Sequence, residues 1–260
     1  MKSIATYIAL AALFSTPVYA EIITKDIEYE HNGTALVGYL AYDDSIEGKR
    51  PGVLVVHEWW GLNDYAKRRA RMLAELGYVA FAADMYGKGK ATADPSKASE
   101  WAGHLRGNVG LWRARALRGI EILKKQDVTD TERLAAIGYC FGGSTVLHLA
   151  YAGAPLKAVV SFHGGLPTPA DDAEIKAAIV ICHGASDQHA EDKEIIAVKD
   201  ALNKHKADWL MIMYGNARHS YTNPAVDEHG IPSVRYNEKA DKRSWQHMKE
   251  FLSEALKAAQ

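Results

Sequence analysis

Excess charge of either sign is missing from this chain. Its 31 lysines and arginines balance 32 aspartates and glutamates, a formal net charge of −1 over 260 residues. The basic residues are scattered and form no stripe, which excludes the electrostatic footprint of a nucleic-acid binder. The run Lys67-Arg68-Arg69 with Arg71 falls on an expected helix and reads as a solvated face. Cysteine is scarce too, with two in the chain. Cross-linking is thus limited to a single Cys140–Cys182 bridge. Internal repeats and low-complexity tracts are absent, and past residue 20 no run is apolar enough to span a membrane.

The first twenty residues read as an export signal. Lys2 supplies a positive start, Ile4 to Phe14 an apolar run, and Val18-Tyr19-Ala20 a small-residue cleavage pattern. The run falls short of the roughly 20 residues a membrane span needs; an uncleaved anchor is the alternative. With cleavage after Ala20 the mature chain is Glu21 to Gln260, and no cysteine lies near the site to carry a lipid. The segment resembles a bacterial Sec signal, so the expected location is the periplasm or the medium.

What remains, about 240 residues, suffices for one α/β domain with a large core. Two strands, Glu21–Glu30 and Leu36–Ala41, flank Asn32-Gly33 and read as a hairpin. Short apolar runs at Val53–Val56, Tyr78–Ala82, Leu134–Ile137, Ala158–Phe162, Ala178–Cys182 and Trp209–Met213 alternate with helical patterns at 64–76, 96–105, 109–125, 143–151, 191–204 and 237–258. Such alternation predicts a mostly parallel sheet with helices on both faces.

Residues 138–143 read Gly-Tyr-Cys-Phe-Gly-Gly, the G-x-S-x-G nucleophile turn with cysteine in place of serine. A strand before it and a helix after it set the thiol at a helix N-terminus, where the dipole favours a thiolate. The alternative is an inert buried cysteine in a tight turn. In a sheet of this kind the site lies at the C-terminal strand ends. The next ends carry Asp187, after Ala178–Cys182, and His219, after Trp209–Met213. Nucleophile, acid and base then follow in the order of an α/β-hydrolase: Cys140 attacks a carbonyl, His219 moves the proton and Asp187 orients the imidazole. The amides of Phe141 and Trp59 are expected to face the oxyanion. The disulfide is disfavoured, because a strand between those of Cys140 and Cys182 separates them by roughly 9.6 Å, beyond the roughly 7 Å a bridge allows. His57-Glu58 is no zinc-protease motif, since Gly61 stands where a second histidine is needed. Neither a metal nor an organic cofactor is expected.

Six segments together resemble the dienelactone hydrolase family: His-Glu-Trp-Trp-Gly-Leu-Asn at 57–63, Leu-Gly-Tyr-Val-Ala at 76–80, Asp-Met-Tyr at 84–86, the cysteine turn, Gly-Ala-Ser-Asp at 184–187 and Arg-His-Ser-Tyr at 218–221. The resemblance covers nearly all of residues 21–260. It implies the α/β-hydrolase fold and hydrolysis of an ester or lactone through a thioester, with Cys140, Asp187 and His219 as triad. It also implies that Glu58 is catalytic, contacting the resting thiol and taking part in its deprotonation when substrate binds. The family's carboxylate-gripping arginines are not matched: Asn223 stands four residues after His219, and Ser96 to Glu100 holds no arginine. Trp59, Trp60, Tyr86 and Tyr221, with Asn223, are therefore expected to line a more aromatic and less charged substrate pocket. The expected partner is a small-molecule ester or lactone, and the expected state a monomer. The competing function is a non-catalytic ligand-binding or thiol-sensing protein on the same scaffold.

Overall fold

The computed structural model describes residues 21–258. The expected export signal, residues 1–20, lies outside them. Eight strands form one sheet: β1 (Ile22–His31), β2 (Thr34–Asp43), β3 (Arg50–Val56), β4 (Val79–Ala83), β5 (Thr129–Tyr139), β6 (Ala158–Phe162), β7 (Ala178–Gly184) and β8 (Trp209–Tyr214). Their spatial order is β1-β2-β4-β3-β5-β6-β7-β8. The β1–β2 and β2–β4 pairs are antiparallel and the rest parallel. The hairpin closes at Asn32 and Gly33, both at positive φ (49° and 73°), as a two-residue turn between right-twisted strands requires.

Six helices cover the sheet: α1 (Asp64–Ala74), α2 (Pro95–Arg106), α3 (Val109–Lys124), α4 (Phe141–Tyr151), α5 (Asp192–Lys204) and α6 (Glu238–Ala255). Strand alternation assigns the faces. Val53 and Val55 of β3 pack with Leu73 of α1 and Met248 of α6. Leu54 and Val56 point the other way, into a core shared with α2, α3, α4 and α5. With helices on both sides, β3 has no solvent face, which explains its unbroken apolar run. No helix among the described residues is long and apolar enough to cross a membrane.

Two differences from the sequence expectation have plain causes. Strand β5 starts five residues before its apolar run, because its outer part, from Asp130 to Arg133, lies at the sheet margin and is partly exposed. Helix α4 starts at Phe141 and takes both glycines into its first turn. Cys182 lies in β7, with β6 between it and the end of β5, and both cysteines are free thiols. Cys182 is fully buried, and burial pushes its thiol pKa up to about 12.

Candidate active site

Strand β5 delivers Cys140 to the C-terminal edge of the sheet in a strained conformation, φ 53° and ψ −113°, that a non-glycine residue rarely adopts. Close packing holds it there. A Cβ on Gly138 would sit 2.0 Å from the Gly142 carbonyl oxygen, and one on Gly142 would sit 2.1 Å from that of Val56. Only glycine lets the turn nest this tightly against β3. The Cys140 amide donates to the Phe162 carbonyl (3.0 Å) and to His163 Nδ1 (3.1 Å). The amides of Phe141 and Trp59 have no protein acceptor among the described residues.

The loops after β7 and β8 bring Asp187 and His219 together. His219 Nδ1 lies 2.8 Å from Asp187 Oδ2, and Asp187 Oδ1 accepts from the His189 amide at 2.8 Å. Burial opposes charge on the imidazole, but the negative charge of a Cys140 thiolate and the Asp187 hydrogen bond outweigh it, raising His219 to about 10. Burial alone would raise Asp187; its bond to His219 and the charge of that ring hold it below the usual carboxylate range instead. The geometry thus gathers a thiol, an imidazole and a carboxylate at one edge.

Glu58, which the resemblance sets against the resting thiol, has two other partners. Its carboxylate accepts from Ser220 Oγ (2.5 Å) and Asn223 Nδ2 (2.7 Å) and makes no hydrogen bond with Cys140. Burial raises its pKa, against the pull of those two bonds. Asn223, expected on the substrate, is spent on Glu58 and is buried. Ser220, which the sequence did not single out, is the other clamp and sits at φ 55°.

The aromatic residues also need correction. Tyr221 is fully buried and donates to the Cys182 carbonyl (3.3 Å), bracing β7. Trp60 stacks on His229 (4.0 Å between centroids) and supports Trp59 from behind (4.7 Å). Tyr86 packs among His57, Phe141 and Trp101. A cavity of about 350 Å³ opens onto Cys140 and His219, and its other walls come from Trp59, Arg106, Ser144, His189, Ile231 and Val234. Of the expected pocket residues Trp59 lines it, and Trp60, Tyr86, Tyr221 and Asn223 do not. Arg106, at the end of α2, is exposed, makes no ion pair among the described residues and lies over the Phe141 ring at 5.8 Å. The cavity is therefore more basic than expected. Another cavity, about 450 Å³ between β8 and α6, has Lys239, Arg243 and His247 on its wall but no nucleophile; the chemistry favours the first. His57 offers no metal ligand. Its Nε2 accepts from the Met85 amide, so Nδ1 carries the proton and donates to the Glu58 carbonyl.

A family model described as "Dienelactone hydrolase family" matches residues 36–256. Among solved structures, a dienelactone hydrolase-like promiscuous phosphotriesterase from metagenomic libraries is 41% identical. Its TM-score is 0.89, over 92% of this chain and all of that one. Proteins called putative carboxymethylenebutenolidase are also similar. That of Aquifex aeolicus is 27% identical over 89% of this chain and 98% of its own length. That of Yersinia pestis is 27% identical over 85% of each.

Proposed function

Since the chain belongs to the dienelactone hydrolase family and is thus a hydrolase of ester or lactone bonds, we propose that it works through a thioester on Cys140. The Cys140 thiolate attacks the carbonyl carbon, and the oxyanion faces the Phe141 and Trp59 amides. The His219 imidazolium protonates the departing alkoxide, leaving an acyl thioester and a neutral imidazole. A water then loses its proton to His219 as it attacks the thioester; acid and thiolate separate, with the imidazolium restored. Asp187 keeps the imidazole in one tautomer and orientation throughout. A single observation carries this: a strained cysteine at the mouth of α4 beside a histidine bonded to a buried carboxylate at 2.8 Å.

Turnover of a short-chain p-nitrophenyl ester tests it, together with the mass of the acylated chain. Cys140→Ala should abolish turnover and the adduct; retained hydrolysis overturns the assignment. Ligand binding without turnover or adduct would favour the non-catalytic alternative. The 41% identical relative is described as a promiscuous phosphotriesterase, which supports a second substrate class, aryl phosphotriesters, assayed beside the ester. Export is proposed from the first twenty residues alone, and an N-terminus at Glu21 in secreted material is the expected sign of it.

A further inference from the structure

Behind the catalytic edge lies a fully buried polar residue with no part in the chemistry above. His163 follows β6 directly, at φ 39°, and is 0% exposed. Its Nδ1 lies 3.1 Å from the Cys140 amide nitrogen and its Nε2 2.7 Å from Thr222 Oγ1, three residues beyond His219. The ring meets that of His219 edge to face, at 5.4 Å and 67°. We propose that His163 is a positioning residue that locks the nucleophile turn to the loop carrying the general base. The proposal rests on Cys140 and His219 acting as nucleophile and base.

Hydrogen-bond bookkeeping fixes the state of the ring. An amide N–H only donates, so Nδ1 must hold a lone pair; Nε2 then carries the proton and donates to Thr222. Protonating Nδ1 would break the bond to Cys140 and set a second cation beside the His219 imidazolium. Burial and the His219 charge accordingly keep His163 well below the usual histidine range. Around it stand Tyr139 and Cys140 at the end of β5, Arg69 and Tyr65 of α1 (the latter sharing Thr222 Oγ1 with it), Cys182 of β7, and Asp187, His219 and Tyr221 from the loops. The far end of the chain of bonds is fixed as well. Arg69 donates to the Thr222 carbonyl (2.7 Å) and pairs with Asp241 of α6 (2.5 Å), anchoring the histidine loop to two helices. One neutral ring thus bridges, by two directional bonds, a backbone amide of the nucleophile and the loop of the base.

The test compares His163→Phe, which keeps a flat ring and loses both bonds, with His163→Gln, whose amide offers an acceptor and a donor. Ester kcat and KM, the pH profile of Cys140 alkylation by iodoacetamide, and Tm are measured for each. His163→Phe is expected to lower kcat by about 10-fold or more with KM within about twofold, and to move the acid limb of alkylation to higher pH, since an apolar neighbour solvates the ion pair less well. His163→Gln should recover part of both. His163→Phe with unchanged kcat and an unchanged alkylation profile overturns the proposal. Should that variant not fold, Thr222→Val removes the same bridge from the other side; unchanged kcat and pH profile there overturn it equally. Wild-type protein that neither turns over ester nor acylates Cys140 would instead refute the nucleophile assignment itself.

Discussion

Adding one methyl group to Gly142 should separate the nucleophile turn from its support. The new Cβ would lie 2.1 Å from the Val56 carbonyl oxygen, 2.6 Å from its carbonyl carbon and 2.8 Å from the His57 oxygen. All three are backbone atoms at the end of β3, so no side chain can swing aside. To reach an allowed contact, the start of α4 and the end of β3 must part by about 1 Å, an overpacking that costs about 1–3 kcal/mol. For a chain of this size that lowers Tm by about 2–12 °C. The same shift pulls the Phe141 amide away from the Trp59 amide, and a displacement of about 1 Å at a reacting centre can cost about 100-fold in rate. Ester kcat/KM and a thermal melt of Gly142→Ala read both effects. The control is Gly103→Ala in α2, where the added Cβ meets nothing within 4 Å. Helix propensity should stabilise that variant by about 0.5–1 kcal/mol with activity intact. Gly142→Ala with wild-type Tm and kcat/KM within about twofold would refute the close-packing account of the turn.

Two more outcomes follow from the charges around the cavity. With His219 raised to about 10, the ring is imidazolium below that pH and neutral above it. The kcat/KM profile should therefore fall on the alkaline side near 10, as the proton for the leaving group is lost. Asp187→Asn removes the negative charge that favours the imidazolium and offers an amide in place of one carboxylate oxygen. It should move that limb to lower pH and cut kcat by at least about 100-fold; an unmoved limb would remove Asp187 from its role. Arg106→Gln should raise KM about 10-fold for an ester bearing a carboxylate, the worth of a charge-assisted hydrogen bond, and leave a neutral ester within about twofold. Equal effects on both esters would mean that Arg106 does not read substrate charge.

Legibility along the chain followed burial and backbone chemistry. Strands such as Val53–Val56 and Ala158–Phe162 were readable because both sheet faces are covered, so every position is apolar. The meeting of Cys140, Asp187 and His219 at one edge was readable because each stands at or just beyond the end of such a strand, where one-dimensional order maps onto one edge of the sheet. Side-chain direction within the loops was not. Asn223 and Tyr221 are close to His219 in sequence, yet the turn at Ser220 (φ 55°) directs them to Glu58 and Cys182. Arg106 reaches the cavity from the end of a helix that begins well before the nucleophile turn, a placement that depends on how α2 packs and that no local pattern carries. His163 had no sequence signal beyond following an apolar run, because its role lies in partners 23 and 59 residues away.

The depth of Cys182 has a practical consequence. With its thiol sealed in β7 and its pKa pushed up to about 12, Cys182 is closed to an electrophile in the native chain, which leaves Cys140 as the one thiol to label. A stoichiometric label therefore counts folded molecules with an open Cys140 turn, and a second equivalent taken up on heating reports how much of the sample has opened its core.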